Sequence, residues 1–127
     1  MKALVIDDSR AMRSILSHIL RQLSFDVSEA GNGREGLEQL ERLSPIDLAL
    51  VDWNMPEMNG IDFVRAVRAD ARYNDLRLIM VTTETETSQV LVALEAGANE
   101  YVMKPFTRDI IQQKIELLGL LDQSSAT

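Results

Sequence analysis

The chain has 127 residues, a formal net charge of −7 and no cysteine. Its length bounds it to one domain, its acidity disfavours a phosphate-backbone partner, and the missing thiols exclude disulfides and thiolate metal sites and fit a reducing cytoplasm. The opening apolar run Leu4-Val5-Ile6 stops at Asp7-Asp8, too short for a signal peptide, and no segment approaches the roughly 20 apolar residues of a membrane span, so neither nucleic-acid contact nor membrane insertion is expected.

Leu4-Val5-Ile6 reads as a short buried strand. Ser9 stands where a helix N-cap would, and Met12, Ile15, Leu16, Ile19, Leu20 and Leu23 follow at helical spacing. Phe25-Asp26-Val27 reads as a second strand, and Glu29 to Gly33 as a loop. Leu37, Leu40 and Leu43 mark a second helix, which Ser44-Pro45 ends. The third strand is Leu48 to Val51, and a third helix starts near Gly60 with Phe63, Val64 and Val67 apolar. Leu78 to Val81 is the fourth strand, ending at Thr82-Thr83. Cap-like Thr85-Glu86-Thr87-Ser88 precede a helix through Val90, Leu91 and Leu94 that Gly97 closes. Tyr101-Val102-Met103 is the fifth strand, and Thr107 caps a last helix carrying Ile110, Ile111, Ile115 and Leu118. Residues 1–122 form the expected domain and 123–127 a polar tail.

Near-continuous apolar strands alternating with amphipathic helices predict a parallel sheet covered on both faces. The expected fold is an α/β doubly wound, five-stranded (βα)5 sheet of flavodoxin-like type. Its strand order, 2-1-3-4-5, comes by analogy with known layouts rather than from the alternation.

In such a sheet the carboxyl ends of the strands share one rim, where ligands bind. The first strand delivers Asp7 and Asp8, the third Asp52, the fourth Thr82, and the fifth Lys104 followed by Pro105. Three close carboxylates repel and raise one another's pKa, and a hard divalent cation relieves this. Mg²⁺ takes oxygen ligands, keeps several waters and needs only one or two direct carboxylates, which suits so sparse a site. An aspartate there can also act as nucleophile and form an aspartyl-phosphate. The transferred group spreads charge over three oxygens. The cation, the Lys104 ammonium, and the Thr82 hydroxyl with nearby backbone N–H groups match them one for one.

Four separated motifs, Val5-Ile6-Asp7-Asp8-Ser9-Arg10, Asp52-Trp53-Asn54-Met55-Pro56-Glu57-Met58-Asn59-Gly60, Met80-Val81-Thr82 and Tyr101-Val102-Met103-Lys104-Pro105-Phe106, resemble in order the receiver domain of bacterial two-component response regulators. The resemblance covers nearly the whole chain, and the Asp-Trp-Asn-Met-Pro run is most like the single-domain chemotaxis regulators of CheY type. It implies that Asp52 accepts a phosphoryl group from the phosphohistidine of a sensor histidine kinase or phosphotransfer domain. It implies Mg²⁺, or Mn²⁺ in its place, held directly by Asp8, Asp52 and the Asn54 backbone carbonyl, and by Asp7 through a water. Lys104 would contact the phosphoryl group, Thr82 would swing toward it, Tyr101 would turn inward behind it, and the Lys104–Pro105 peptide would be cis.

The output implied is protein binding through the face of the fourth helix, fifth strand and last helix, with a downstream target in motility, and a phosphatase as a further partner. Asn54 and Glu84, flanking the cleft, are expected to tune the phosphate's lifetime by controlling water access. Thr83 stands where the family commonly has Ala, which adds a second hydroxyl near the site.

Trp53 should report on the site by fluorescence, and Phe106 reads as a packing anchor. His18, the single histidine, falls opposite the apolar stripe of its helix and is expected to be exposed and idle. Two other functions compete. A Mg²⁺-dependent phosphohydrolase with an aspartate nucleophile generally needs a second Asp two residues on, where this chain has Asn54. A receiver-like interaction module that is never phosphorylated would not need its intact acids and Lys104. A non-enzyme, which catalyses only its own phosphorylation and slow dephosphorylation, is therefore expected.

Overall fold

The computed structural model describes residues 1–83 and 87–121, with backbone alone for 87–89. Glu84, the Thr85-Glu86 part of the expected cap, and the tail 123–127 lie outside the described residues.

Five strands, β1 (Lys2–Ile6), β2 (Asp26–Ala30), β3 (Leu48–Asp52), β4 (Arg77–Thr82) and β5 (Glu100–Met103), form one parallel sheet in the order β2-β1-β3-β4-β5. Between and after them run α1 (Arg10–Gln22), α2 (Gly33–Leu43), α3 (Gly60–Arg68), α4 (Thr87–Ala96) and α5 (Arg108–Leu117), with a short 3-10 turn at Ala71–Tyr73. The expected order and class are those observed.

Period-two side-chain alternation sorts each strand between two cores. Leu4, Ile6, Ala49, Val51, Leu78 and Met80 face one side, against Leu40 of α2, Phe63, Val64 and Val67 of α3, and Ala93 of α4. Ala3, Val5, Leu48, Leu50, Ile79 and Val81 face the other, against Leu16, Ile19 and Leu20 of α1 and Ile111 and Ile115 of α5. A strand buried on both faces has no polar positions, which is why β3 reads as an unbroken apolar run up to Asp52.

The second strand is shifted from expectation: it starts at Asp26, one residue after Phe25, and runs to Ala30. Glu29 and Ala30 belong to β2, not to a loop, and pair with Val5 and Ile6. β2 is an edge strand with Asp26 exposed and Val27, Ser28 and Glu29 half-buried, so its pattern carries polar residues that resemble a loop.

Four helix starts facing the carboxyl rim are capped by side chains. Ser9 accepts from the Met12 N–H, Asn32 from Glu35, Asn59 from Asp62 and Thr107 from Ile110. Gly97, with φ +119°, follows α4 in a conformation that favours glycine. Arg68 ties α3 to the segments that lead into β4 and β5. Its guanidinium donates to the carbonyls of Gly97, Tyr73 and Leu76 and to Asn99 Oδ1, at 2.7–2.9 Å. Asn99 Oδ1 also accepts from the Leu78 N–H at 2.8 Å, which extends the β4–β5 pairing by a side chain.

Candidate functional site

The register of the sheet assembles the site. Ile6 lies opposite Val51, so Asp7 and Asp52 leave adjacent strands side by side. Asp52 lies opposite Val81, and Thr82 opposite Met103, which puts Thr82 and Lys104 at the same rim. The Lys104 N–H donates to the Thr82 carbonyl at 2.7 Å, holding the loop after β5 against the end of β4.

One carboxylate oxygen each from Asp7, Asp8 and Asp52 lie within 4.8 Å of one another. Asp7 and Asp52 are buried, at 1% and 8% exposure, and Asp8 faces solvent. Lys104 Nζ stands 3.1 Å from Asp52 Oδ1 and 3.6 Å from Asp7 Oδ2. Asp7 Oδ1 accepts from the Ser9 N–H at 2.8 Å, whereas its Oδ2 is buried without a hydrogen-bond partner.

Burial pushes both buried carboxyls above their ordinary values. For Asp52, loss of solvent is reinforced by the charge of Asp7 and opposed by Lys104. For Asp7, burial outweighs the Ser9 N–H and the Lys104 charge, and Asp8 adds to the rise. Three carboxylates against one ammonium leave two formal negative charges among these four side chains. The residues therefore fit a divalent cation on two grounds: that surplus, and an Asp7 oxygen buried without a hydrogen-bond partner.

Thr82 is buried as the last residue of β4. Asn54 is exposed in the loop just past β3, and Trp53 is half-buried against the core of the α2–α3 side. Tyr101 is half-buried on β5, with the Lys114 ammonium 4.9 Å from its ring centroid and Lys114 paired to Glu100 at 3.1 Å. The Lys104–Pro105 peptide is cis, and so is Ser44–Pro45, for which the sequence held no sign. His18 is exposed, and Phe106 packs on the core of the α1–α5 side.

Two residues of the site escaped the sequence reading. Gly60 begins α3 directly beneath Asp52, and a Cβ there would meet the Asp52 carbonyl oxygen at 2.3 Å. Its N–H donates to the Trp53 carbonyl at 3.0 Å, closing the loop that carries Asn54. A helix start near Gly60 is legible in the sequence, but its contact with Asp52 needs the fold. Arg13 donates to the Asp7 carbonyl from one turn into α1, and nothing in its spacing distinguished it from the exposed arginines.

Residues 3–116 match the family described as the response regulator receiver domain. The chain is 44% identical over 119 residues to the chemotaxis protein CheY1 of Helicobacter pylori, covering 93% of this chain and 96% of that one. It is 45% identical over 117 residues to the chemotaxis protein CheY of Pseudomonas aeruginosa, covering 91% and 94%. Among solved structures, chemotaxis protein CheY4 of Vibrio cholerae superposes with a TM-score of 0.86 at 32% identity, covering 92% of this chain and 97% of that one.

Proposed function

The chain belongs to the response regulator receiver family, and on that premise we propose that it is a phospho-switch of chemotaxis type in which Asp52 is the phosphoacceptor. The observation that carries this reading is the Lys104 ammonium 3.1 Å from Asp52 Oδ1, inside a cluster of three carboxylates at the strand ends.

In the proposed step an Asp52 oxygen attacks the phosphorus of a phosphohistidine on a kinase or phosphotransfer domain. A P–O bond forms, the P–N bond breaks, and the imidazole leaves. The nucleophile must be ionised, and burial opposes that. Lys104 offsets part of the cost and then neutralises charge on the transferred group. Asp8, Asp52 and the Asn54 carbonyl would hold Mg²⁺, or Mn²⁺, with Asp7 acting through a water. The cation, when bound, supplies further neutralisation of charge on the phosphoryl oxygens. Thr82, on the same rim, donates its hydroxyl to the phosphoryl group, and Tyr101 turns inward behind it.

The readout is a change of population between two conformations. It is presented on α4, β5 and α5, where Leu91, Leu94 and Ile110 are exposed. The partner is a downstream protein of the motility apparatus, and a phosphatase resets the switch. Asn54, two residues past Asp52, is a poor proton donor, which favours a signalling module in the cytoplasm over a turnover phosphohydrolase. Among the described residues, no helix is long and apolar enough to cross a membrane.

Incubation with acetyl phosphate and Mg²⁺, followed by intact mass, tests the reading. One phosphoryl group per chain is expected, and none with Asp52→Asn. No adduct on the parent chain would favour an interaction module that is never phosphorylated, and multiple turnover of a small phosphate ester would favour the hydrolase. Asn54→Ala and Glu84→Ala are expected to change the decay rate of the adduct by severalfold. Unchanged decay in both would remove their role in controlling water access.

A further inference from the structure

Arg13 is a largely buried cation tied into the rim without touching a reacting group. Its Nη1 donates to the Asp7 backbone carbonyl at 2.6 Å, and its Nε meets Glu29 Oε1 at 3.3 Å. Glu29 is itself held on β2. Its Oε2 accepts from Ser17 Oγ, a fully buried hydroxyl, at 2.9 Å, and its carbonyl accepts from Gln39 Nε2 at 3.2 Å. One guanidinium thus joins α1, the end of β1 and the edge strand β2, and reaches the acidic cluster through a backbone oxygen.

Asp7 is in consequence anchored at three points. Its N–H donates to the Ala30 carbonyl at 3.1 Å, its carbonyl accepts from Arg13, and its Oδ1 accepts from the Ser9 N–H at 2.8 Å. The remaining polar atom, Oδ2, faces Lys104 at 3.6 Å.

We infer that Arg13 is a positioning residue for the divalent-cation site: it fixes the strand end from which Asp7 and Asp8 present their carboxylates. The inference rests on the Mg²⁺ reading above. The guanidinium serves the Asp7 carbonyl and the Glu29 carboxylate through two donors fixed in one plane, a spacing that the single nitrogen of lysine does not reproduce.

Charge and positioning predict opposite results. By Coulomb attraction alone, removing a cation beside an acidic site tightens Mg²⁺, and exchanging Arg for Lys changes nothing. Losing an outer partner that orients metal-binding groups instead weakens the metal by about 10–100-fold.

The test is a Mg²⁺ titration of the folded full chain, followed by fluorescence of Trp53, the single tryptophan, with circular dichroism confirming the fold of each variant. Arg13→Met is expected to raise the Mg²⁺ Kd about tenfold, and Arg13→Lys to raise it in the same direction. A merely structural role would lower the melting temperature and leave the Kd of the folded chain alone. Binding as tight as in the parent, or tighter, in either variant overturns the inference while the Mg²⁺ reading stands. If Arg13→Met does not fold, Arg13→Lys decides alone. A parent chain whose fluorescence shows no Mg²⁺ response that Asp52→Asn abolishes overturns both.

Discussion

At pH 7 without divalent cation, Asp52→Asn is expected to be more stable than the parent chain. The reason lies in the site's own electrostatics. Asp52 is buried beside Asp7, and its carboxyl is held above the ordinary value of 3.8 by lost solvent first and by the Asp7 charge second. A carboxyl raised on folding binds more protons in the folded than in the unfolded chain. Its contribution to stability is complete below the unfolded value and is lost as pH rises through the folded one. Asp7 is raised in the same sense. The parent should therefore lose stability at these two sites as pH climbs from about 4 toward neutrality.

Replacing the Asp52 carboxylate by an amide would remove one such group, relieve Asp7 of a neighbouring charge, and still offer Lys104 an acceptor oxygen. The measurement is the urea midpoint at unchanged slope, repeated across that pH range. A variant less stable than the parent at pH 7 would mean that the Lys104–Asp52 ion pair outweighs the burial of the charge. Stability and function are opposed at this position, because the substitution expected to stabilise the chain is the one expected to end its function.

Gly60→Ala is expected to destabilise the chain by about 3 kcal/mol and to impair phosphorylation with it. A Cβ at this position would lie 2.3 Å from the Asp52 carbonyl oxygen and 2.8 Å from Met80 Cε. Met80 is a flexible side chain and can give. The carbonyl belongs to a central strand paired on both sides, so either the end of β3 or the start of α3 must move. The first shifts Asp52 relative to Lys104, and the second disturbs the loop that carries Asn54, which Gly60 closes onto the Trp53 carbonyl. Equilibrium unfolding and the rate of adduct formation from acetyl phosphate measure the two effects. A variant matching the parent in both would show that the α3 start relaxes freely and that its contact with Asp52 does not position the site.

The fold was readable where burial is two-sided and opaque where it is not. β3 is covered on both faces, so its apolar run ends visibly at Asp52. β2 is an edge strand with polar positions, and its last two residues passed for a loop. The rim chemistry was readable because Asp7, Asp8, Asp52, Thr82 and Lys104 each interrupt or follow an apolar strand. The strand order had to come from analogy, since alternation alone leaves several windings open. Contacts made by long side chains to distant backbone were invisible. Arg68 reaches Gly97 and Asn99, and Arg13 reaches the Asp7 carbonyl, through bonds that no local pattern encodes. Gly60 falls between these cases: its helix start was legible, and the oxygen it must leave room for was not.

The central claim is that Asp52, rather than a neighbouring acid or hydroxyl, takes the phosphoryl group. It is tested most directly by treating the chain with acetyl phosphate and Mg²⁺, reducing the acyl phosphate with borohydride, and sequencing peptides by mass. Homoserine at position 52 alone is the result expected. Homoserine at Asp7 or Asp8, a stable phosphate on Thr82 or Thr83, or full labelling of the Asp52→Asn chain would contradict it.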